Sequence, residues 1–254
     1  MSEKLHKVLA DAGLGSRRQI ERWIAEGRVT VDDRKAHVGE RVVRGVAIKV
    51  DGRPVSVRGE IQAPRVLLYH KPTGEICTRR DPQDRPTVFR HLPDLRTGRW
   101  ICVGRLDLNT SGLLLFTNSG GLADRLMHPR AGIEREYLVR VTPPLTSEQK
   151  ARLTRGLDLD GELARVDQLT DLRRGGGRNR WYRMVLTRGR YREIRRLCAA
   201  VGVAVSRLMR VRYGTVRLPR DQRPGVWQEL DGGAVERLLA APTHLPSPLQ
   251  DDDC

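Results

Sequence analysis

The sequence is poor in cysteine and in aromatic residues, and each shortage excludes a class of site. Its four cysteines, Cys77, Cys102, Cys198 and Cys254, lie far apart, with no Cys-x-x-Cys pair and no histidine at metal-ligand spacing. Neither a zinc site nor a disulfide framework is indicated, so we expect no metal and reduced, mostly buried thiols. Only 4% of the residues are aromatic, so each tyrosine or tryptophan near a candidate site carries weight.

Long apolar runs are also missing. No segment approaches the roughly 20 apolar residues that cross a bilayer. The N-terminus, from Met1 to Lys7, has no apolar signal core, and no basic amphipathic helix of the membrane-surface kind is found. We therefore expect no membrane association and a cytoplasmic location.

Arginine is present in excess. The net charge is +16, yet 31 acidic residues stand beside 47 basic ones, which predicts a folded surface of mixed charge with a polyanionic partner. The window from Arg173 to Arg217 holds 14 arginines and one acid, Glu193. Clustered arginine is expected where phosphates are held in fixed geometry. The alternative is an ordinary solvent-exposed surface in a chain whose composition favours arginine. This alternative explains why the residues are arginine and not lysine, but it does not explain why the window has almost no acidic residues.

Two domains are predicted, and the first spans residues 1–60. Apolar residues from Leu5 to Ala12 follow helical spacing, and Ser16 to Gln19 has the form of a capping box before a second helix. The segment from Val29 to Val31 alternates as a strand, and Asp51-Gly52 predicts a hairpin turn. The result is a compact helix, helix, strand unit.

Residues 61–65 are predicted as a linker, 66–241 as a second domain and 242–254 as an acidic tail. Irregular alternation of strands and helices in the second domain predicts an α+β fold with a mixed, mainly antiparallel sheet flanked by helices. The predicted strands are Val66 to Tyr69, Trp100 to Val103, Gly112 to Thr117, Glu136 to Val141, Trp181 to Leu186 and Val205 to Tyr213. The predicted helices are Leu122 to Met127, Ser147 to Gly156, Arg192 to Val201 and Ala234 to Leu239.

Arg17 and Arg18 fall in the first turn of the second predicted helix, where backbone N–H groups favour an anion. By spacing alone, a phosphate grip and a merely exposed helix start are equally good interpretations. The segment from Lys4 to Val31 resembles a small RNA-binding domain shared by a small-subunit ribosomal protein and several RNA-modifying enzymes. The resemblance implies RNA binding by Lys4, Lys7, Arg17 and Arg18.

The segment from Gly104 to Gly112 places an aspartate, Asp107, in a polar turn after a predicted strand. If the chain is extended there, Arg105 and Asp107 project to the same side and can pair, which would keep the carboxylate ionised. Most aspartates in turns cap the backbone or form structural ion pairs, so the spacing alone does not make Asp107 catalytic.

The string Arg-Leu-Asp followed by Thr-Ser-Gly resembles the central motif of pseudouridine synthases, in which the aspartate is indispensable. Three further segments resemble the other motifs of the branch that contains the ribosomal small-subunit and large-subunit enzymes, in the same order. They run from Tyr69 to Gly74, from Glu134 to Val139 and from Gly189 to Leu197.

The resemblance implies a role for several residues. Asp107 would be the nucleophile, Tyr137 would lie against the target base, and Ile194 would pack below the uracil. Arg195 would pair with the aspartate, with Arg192 as a competitor for that role. Arg105, the partner that spacing offers to Asp107, completes the predicted catalytic group, and the further predicted RNA-binding residues are Lys71, Arg190, Arg192 and Arg196. For Lys71, a purely structural role in which the Lys-Pro step shapes the turn remains an alternative.

The implied reaction is the isomerisation of uridine in ribosomal RNA or a pre-ribosomal particle, with no metal or organic cofactor. The stretches from Cys77 to Phe89 and from Val205 to Gly214 look more like the large-subunit enzymes, so large-subunit 23S RNA is the preferred substrate. A small-subunit enzyme and a non-catalytic ribosomal RNA binder or assembly factor remain alternatives. The His-x-Glu and Cys-x-x-Cys pattern of a zinc base deaminase is absent. No protein partner is required, and we expect a monomer.

Overall fold

The computed structural model describes residues 2–43, 45–55, 64–96, 98–172 and 178–240. The chain forms two compact units. The first consists of Met1–Pro64, Pro93–Ile101 and Asn118–Gly120, and the second of Arg65–Leu92, Cys102–Thr117 and Gly121–Cys254. Most of the predicted linker, residues 173–177 and the predicted acidic tail lie outside the described residues, and the domain boundaries stay predictions.

The first unit packs two helices against small antiparallel sheets. Its helices are α1 (Leu5–Asp11) and α2 (Arg17–Ala25). Its strands are β1 (Glu3–Lys4), β2 (Val29–Val31), β3 (Arg34–Lys35), β4 (Arg41–Val42), β5 (Ile48–Val50) and β6 (Arg53–Val55). Strand β1 pairs with β4, and the order β3-β2-β5-β6 forms the second sheet.

The predicted periodicity of this unit is confirmed by its core. Leu5, Leu9, Ile20 and Ile24 are buried together with strand residues such as Val29. At the start of α2 the Ser16 hydroxyl accepts a hydrogen bond from the Gln19 backbone N–H at 3.1 Å, as expected for a helix cap.

The second unit contains most of a large sheet, which has nine strands in the described part of the chain. The strands are β7 (Val66–Lys71), β8 (Ile101–Val103), β9 (Ser111–Thr117), β10 (Arg135–Thr142), β13 (Gln168–Asp171), β14 (Arg180–Leu186), β15 (Ala204–Tyr213), β16 (Val216–Arg217) and β17 (Trp227–Glu229). Their order is β13-β14-β10-β15-β9-β7-β17, with β16 on β15 and β8 on β9. The pairs along this order are antiparallel except β9 with β15, and β16 is antiparallel to β15.

Four helices and one hairpin accompany this sheet. The helices are α3 (Gly120–Met127), α4 (Ser147–Arg155), α5 (Glu193–Ala200) and α6 (Gly232–Ala240), with a 3₁₀ turn at Pro129–Ala131. The hairpin consists of β11 (Leu157–Asp158) and β12 (Leu163–Ala164). The apolar face of α5, with Leu197 and Cys198, is buried in one core with Val139 and Tyr182 of the sheet, which fixes the start of α5 beside β10.

The predicted α+β class with a mixed, mainly antiparallel sheet is confirmed, and each predicted strand and helix of the second domain is present within one or two residues of its predicted ends. The strands that the sequence did not predict are short, and most are half-exposed. They lack the apolar alternation by which a half-buried strand is recognised.

Candidate active site

A cavity of about 220 Å³ opens on the face of the large sheet that also carries α5. Six residues singled out by the sequence line it together: Arg105, Asp107, Tyr137, Arg190, Arg192 and Ile194. Arginines including Arg188 and Arg210 line the same cavity. An ionisable carboxylate, an aromatic ring and several cations therefore share one concave site, as a binding site for a nucleotide requires.

Lys71 holds both ends of the turn that carries Asp107. The turn closes through the Thr110 backbone N–H, which donates to the Asp107 carbonyl at 3.0 Å. The Lys71 ammonium group donates to the carbonyls of Asp107 at 3.1 Å and Thr110 at 2.9 Å, and also to Pro72 at 2.9 Å. Because these acceptors come from two chain segments, Lys71 links the end of β7 to the turn.

The two central carbonyls of this turn are held from outside as well. The Gly74 backbone N–H donates to the Leu108 carbonyl at 2.9 Å. One terminal nitrogen of Arg195 donates to the Asn109 carbonyl at 2.9 Å, and the other donates to Val205 on β15 at 3.0 Å. All four carbonyls from Asp107 to Thr110 thus accept hydrogen bonds, so the carboxylate projects from a rigid turn.

This arrangement corrects one prediction. Lys71 is 0% exposed, so its ammonium group cannot reach a phosphate of bound RNA, and its predicted RNA-binding role is wrong. Its charge is satisfied by backbone carbonyls, and burial lowers its pKa. We infer that Lys71 positions the Asp107 turn.

The Asp107 carboxylate itself is left open. Among the described residues, no side-chain cation lies within 4.0 Å of it. The predicted ion pair with Arg195 is therefore not formed, because that guanidinium is occupied by the carbonyls of Asn109 and Val205. Burial and the nearby Arg192 lower the pKa of Arg195, while the attraction of Asp107 raises it. Arg195 thus supplies positive potential near the carboxylate without a direct contact.

The predicted pairing of Arg105 with Asp107 is also absent. Arg105 is exposed, and its guanidinium lies over the ring of Tyr191, 5.7 Å from the centroid. A stack of this kind is a cation–π contact. Tyr191 is 63% exposed and lines the cavity with Arg105, so the two form a flat, cationic rim.

Tyr137 and Ile194 lie where a base could pack against them. Tyr137, on β10, is half-buried and packs against the core that contains Ile194, which is 4% exposed. Both line the cavity with Asp107. The geometry is compatible with the predicted base contacts, while Ile194 also serves the core.

Three predicted RNA-binding arginines near α5 differ in their surroundings. Arg190 forms an ion pair with Glu162, and Arg196 forms one with Asp160 at 2.5 Å; both acids belong to the turn between β11 and β12. Arg192 is exposed and lines a second cavity beside Asp107. Of these three, Arg192 is the most available to a phosphate.

The predicted RNA-binding residues of the first unit are mostly exposed. Arg17 and Arg18 begin α2, are both exposed, and have no carboxylate within 4.0 Å among the described residues. Lys4 is exposed on β1, whereas the ammonium group of Lys7 is paired with Glu3 at 2.5 Å. The pair at the start of α2 is therefore the stronger candidate for phosphate binding.

The sequence did not single out Arg210, the arginine of β15 that lines the cavity. It is 2% exposed and lies directly opposite Tyr137 on β10 and Gly112 on β9. Directly opposed residues project to the same face of a sheet. One feature of the sequence could have identified Arg210. It lies two residues after Leu208 in a predicted strand, so the alternation of the strand places it on the same, buried side.

Metal ligands and membrane spans were sought among the described residues. Within them, no group of three or more His, Cys, Asp or Glu side chains is placed to hold a metal ion. None of the helices in that part of the chain is long and apolar enough to cross a membrane.

Comparison with known proteins defines the class to which this fold and site belong. A family model described as RNA pseudouridylate synthase matches residues 65–200, and an S4 domain model matches residues 3–48. The chain belongs to the RNA pseudouridylate synthase family, and it is an RNA pseudouridine synthase with an N-terminal S4 domain.

Individual relatives are similar over most of their length. The chain is 54% identical over 234 residues to the ribosomal large subunit pseudouridine synthase B of Escherichia coli (strain K12), covering 91% of this chain and 80% of that protein. The protein of the same name from Yersinia pestis is 52% identical over 241 residues, covering 94% and 76%. A solved structure described as a pseudouridylate synthase has a TM-score of 0.65 and 25% identity, covering 92% of this chain and 99% of its own.

Proposed function

We propose that the chain isomerises uridine in large-subunit (23S) ribosomal RNA to pseudouridine, with Asp107 as the nucleophile. The observation that carries this assignment is the turn from Asp107 to Thr110, whose four carbonyls are all held while the carboxylate faces the cavity unpaired. A carboxylate fixed in this way costs no ordering when the substrate binds. Membership of the pseudouridine synthase family supplies the reaction.

The reaction breaks the bond from the ribose to N1 of uracil and forms a bond from the same carbon to C5, which loses its proton. In our proposal Asp107 bonds to that ribose carbon as its bond to N1 breaks, and the bond to Asp107 breaks in turn when C5 bonds to the same carbon. C5 then loses its proton and N1 gains one, so the product is an isomer of the substrate. Tyr137 packs against the freed ring and Ile194 supports it from below. Stacking of this kind offsets part of the cost of withdrawing a base from its helix. Arg195 acts as a positioning residue through Asn109 and contributes positive potential.

The choice of large-subunit RNA rests on the relatives. Proteins more than 50% identical to the chain over most of its length carry the name ribosomal large subunit pseudouridine synthase B. We further propose that residues 1–60 grip phosphates through Arg17 and Arg18, and that residues 66–241 hold the catalytic site. The other proposed RNA-binding residues are Lys4, Lys7, Arg190, Arg192 and Arg196. We also propose a cytoplasmic monomer that needs no protein partner.

Substitution of Asp107 by asparagine tests the nucleophile. Asp107→Asn preserves the shape of the side chain and removes its charge, so we expect loss of tritium release from RNA labelled at C5 of uridine, with RNA affinity within about twofold of wild type. Asp221→Asn is the matched control, because Asp221 is exposed and does not line the cavity. Substantial tritium release by Asp107→Asn would show that another group is the nucleophile.

Mapping of the modified position tests the substrate. Purified protein is incubated with unmodified transcripts of large-subunit and small-subunit ribosomal RNA, and pseudouridine is located by chemical derivatisation and primer extension. We expect modification in the large-subunit transcript alone. Modification confined to the small-subunit transcript contradicts the substrate assignment, and tight binding without modification of either RNA, or of pre-ribosomal particles, favours a non-catalytic binder.

A further inference from the structure

Two polar atoms beside Asp107 are buried without a hydrogen-bond partner. They are the hydroxyl oxygen of Thr110 and the Nη2 atom of Arg210, and neither has a partner among the described residues. Both residues are 2% exposed and both line the 220 Å³ cavity. Buried polar groups are nearly always hydrogen-bonded, so each such atom in a binding cavity points to a ligand atom.

The direction of the Arg210 guanidinium is fixed by its contacts. Its Nε donates to the Leu113 carbonyl at 2.8 Å, and its carbon lies 5.0 Å from the centroid of the Tyr213 ring. Its neighbour on β9 is Gly112, which has no side chain to occupy the same space. No carboxylate lies within 4.0 Å of Arg210 in the part of the chain that the structure describes. The free donor is thus held in place, and its charge is not compensated by an ion pair.

Thr110 is fixed by its backbone. Its N–H donates to the Asp107 carbonyl and its carbonyl accepts from Lys71. The hydroxyl therefore sits on the same rigid turn as the carboxylate. A hydroxyl donates one hydrogen bond and accepts others, so it can pair with a carbonyl oxygen or with a ring N–H.

The base edge of a uridine fits these two groups better than its phosphate does. Arg210 and Tyr137 lie directly opposite each other on neighbouring strands, so a ring packed on Tyr137 has an edge near Arg210. Uracil presents two carbonyl oxygens, which only accept hydrogen bonds, whereas cytosine replaces one of them by an amino group, which only donates. Because cytosine keeps the carbonyl oxygen at C2, a fixed guanidinium donor distinguishes the two bases only when it faces C4, where it accepts the oxygen of uracil and rejects the amino group of cytosine.

We propose that Arg210 and Thr110 form a polar subsite that hydrogen-bonds the carbonyl edge of the target uracil and so selects uridine. The inference rests on the proposed function and extends it to a specificity-determining pair. Arg210 supplies the donor to the carbonyl oxygen at C4, and Thr110 holds a neighbouring atom of the same edge.

Thermodynamic cycles between protein and RNA substitutions test the subsite. RNA substrates carry 2-thiouridine or 4-thiouridine at the target position, because sulfur accepts hydrogen bonds less well than oxygen. With wild-type protein we expect 4-thiouridine to lower kcat/KM at least tenfold, whereas a loss confined to 2-thiouridine would place the donor at the carbonyl that cytosine shares and overturn the selection of uridine. Arg210→Met should lower kcat/KM for normal uridine at least tenfold but show less than a twofold further loss with the 4-thiouridine RNA.

Thr110→Val gives an independent cycle, since it keeps the shape of the side chain and removes only the hydroxyl. Circular dichroism and thermal unfolding show whether Arg210→Met folds. If it does not fold, the Thr110→Val cycle alone tests the proposed subsite. The matched control is Arg207→Met, an exposed arginine of β15 that does not line the cavity. It should change kcat/KM by the same factor for all three RNAs.

The contrary outcomes are distinct. If the thio-substituted RNAs lower kcat/KM as much in the folded variants as in the wild-type protein, neither residue contacts a base carbonyl and the inference fails. A phosphorothioate at the target nucleotide provides a further comparison. If it lowers kcat/KM of the wild-type protein but not of Arg210→Met, Arg210 contacts a phosphate and the inference is also overturned. Absence of pseudouridine formation by wild-type protein on every RNA is a failure of the proposed function instead.

Discussion

Lys71 is a buried cation whose ammonium group meets three backbone carbonyls. A cation in this position stabilises a particular backbone path, because the charge must be solvated by oxygens that the chain brings to it. Its loss leaves the carbonyls of Asp107 and Thr110 short of a donor. Lys71 therefore stabilises the turn, and it affects catalysis only by holding Asp107 in position.

Lys71→Met should lower kcat at least tenfold with little change in KM, because the turn loses its anchor while the RNA-facing surface is kept. We also expect a loss of about 1–3 kcal/mol in unfolding free energy from the unsatisfied carbonyls. Tritium-release kinetics and urea unfolding measure the two effects. Lys150→Met is the control, since Lys150 forms a partly exposed ion pair with Asp171 and its loss should cost at most about 1 kcal/mol. An unchanged kcat for Lys71→Met would contradict the positioning role.

Cys77 is a second residue with a specific environment behind the Asp107 segment. Its sulfur lies 3.4 Å from both the backbone N and O of Leu106. The neighbouring Cys102 and the Leu106 backbone N–H lower the pKa of Cys77 to about 7, and burial raises the pKa of Cys198 to about 12. Since the thiolate is the reactive form, these two cysteines should differ sharply in reactivity near neutral pH.

We expect iodoacetamide to modify Cys77 before Cys198, at a rate that rises with pH, has its midpoint near pH 7 and levels off about one to two pH units higher, where the thiolate is the main form. The experiment uses a Cys254→Ser background, and mass spectrometry identifies the labelled residue. The adduct should lower activity, because it displaces Leu106 next to Asp107. Cys77→Ser should resist inactivation. A labelling midpoint near pH 9 would show that the Cys77 pKa is not lowered.

At the scale of elements, the join between β9 and β15 organises the site. Gly112 pairs with Lys71 on one side and with Arg210 on the other, so the turn anchor, the catalytic segment and the buried arginine lie in one row across the sheet. Gly112 has φ +107°, and a Cβ atom there would come within 2.1 Å of the Arg210 carbonyl oxygen. No side chain fits without separating the two strands.

Gly112→Ala should therefore destabilise the protein by at least about 3 kcal/mol, since it combines backbone strain with a clash against backbone atoms. Gly202→Ala isolates the strain, because Gly202 has φ +84° and open space around its Cα; we expect a loss of about 1–2 kcal/mol there. Thermal and urea unfolding give both values. Equal losses at the two positions would mean that β15 shifts to accommodate the methyl group.

The longer strands and the helices could be predicted from the sequence, whereas the side-chain contacts of the site could be predicted only in part. Alternating or continuous apolar residues located β7, β9, β10, β14 and β15, and the sequence also located the six helices found in the described part of the chain. Asp107 and Tyr137 could be named from their motifs, but the partners of Arg195 and Arg105 could not. A long side chain chooses among acceptors that the tertiary fold brings near it, and the carbonyls of Asn109 and Val205 have no mark in the sequence.

At the scale of the whole molecule, the excess of positive charge makes RNA affinity depend on salt. Each phosphate neutralised by an arginine releases counterions, and the dependence of log K on log salt steepens accordingly. In the first unit, Arg17 and Arg18 are exposed and unpaired among the described residues, whereas Arg28 is bound to Asp51 by two hydrogen bonds of 2.7 and 2.6 Å. Removing the same formal charge should thus have different effects at these positions.

We expect Arg17→Ala and Arg18→Ala each to weaken RNA binding and to reduce the salt slope by about 0.7–0.9, the value for one phosphate contact. Arg28→Ala removes an equal charge but leaves the slope nearly unchanged, because Asp51 already satisfies that guanidinium. Filter binding of a large-subunit RNA fragment between about 50 and 200 mM salt measures the slopes, and over this range one phosphate contact changes the affinity by about threefold. If all three variants changed the slope equally, net charge rather than a built phosphate site at the start of α2 would govern binding.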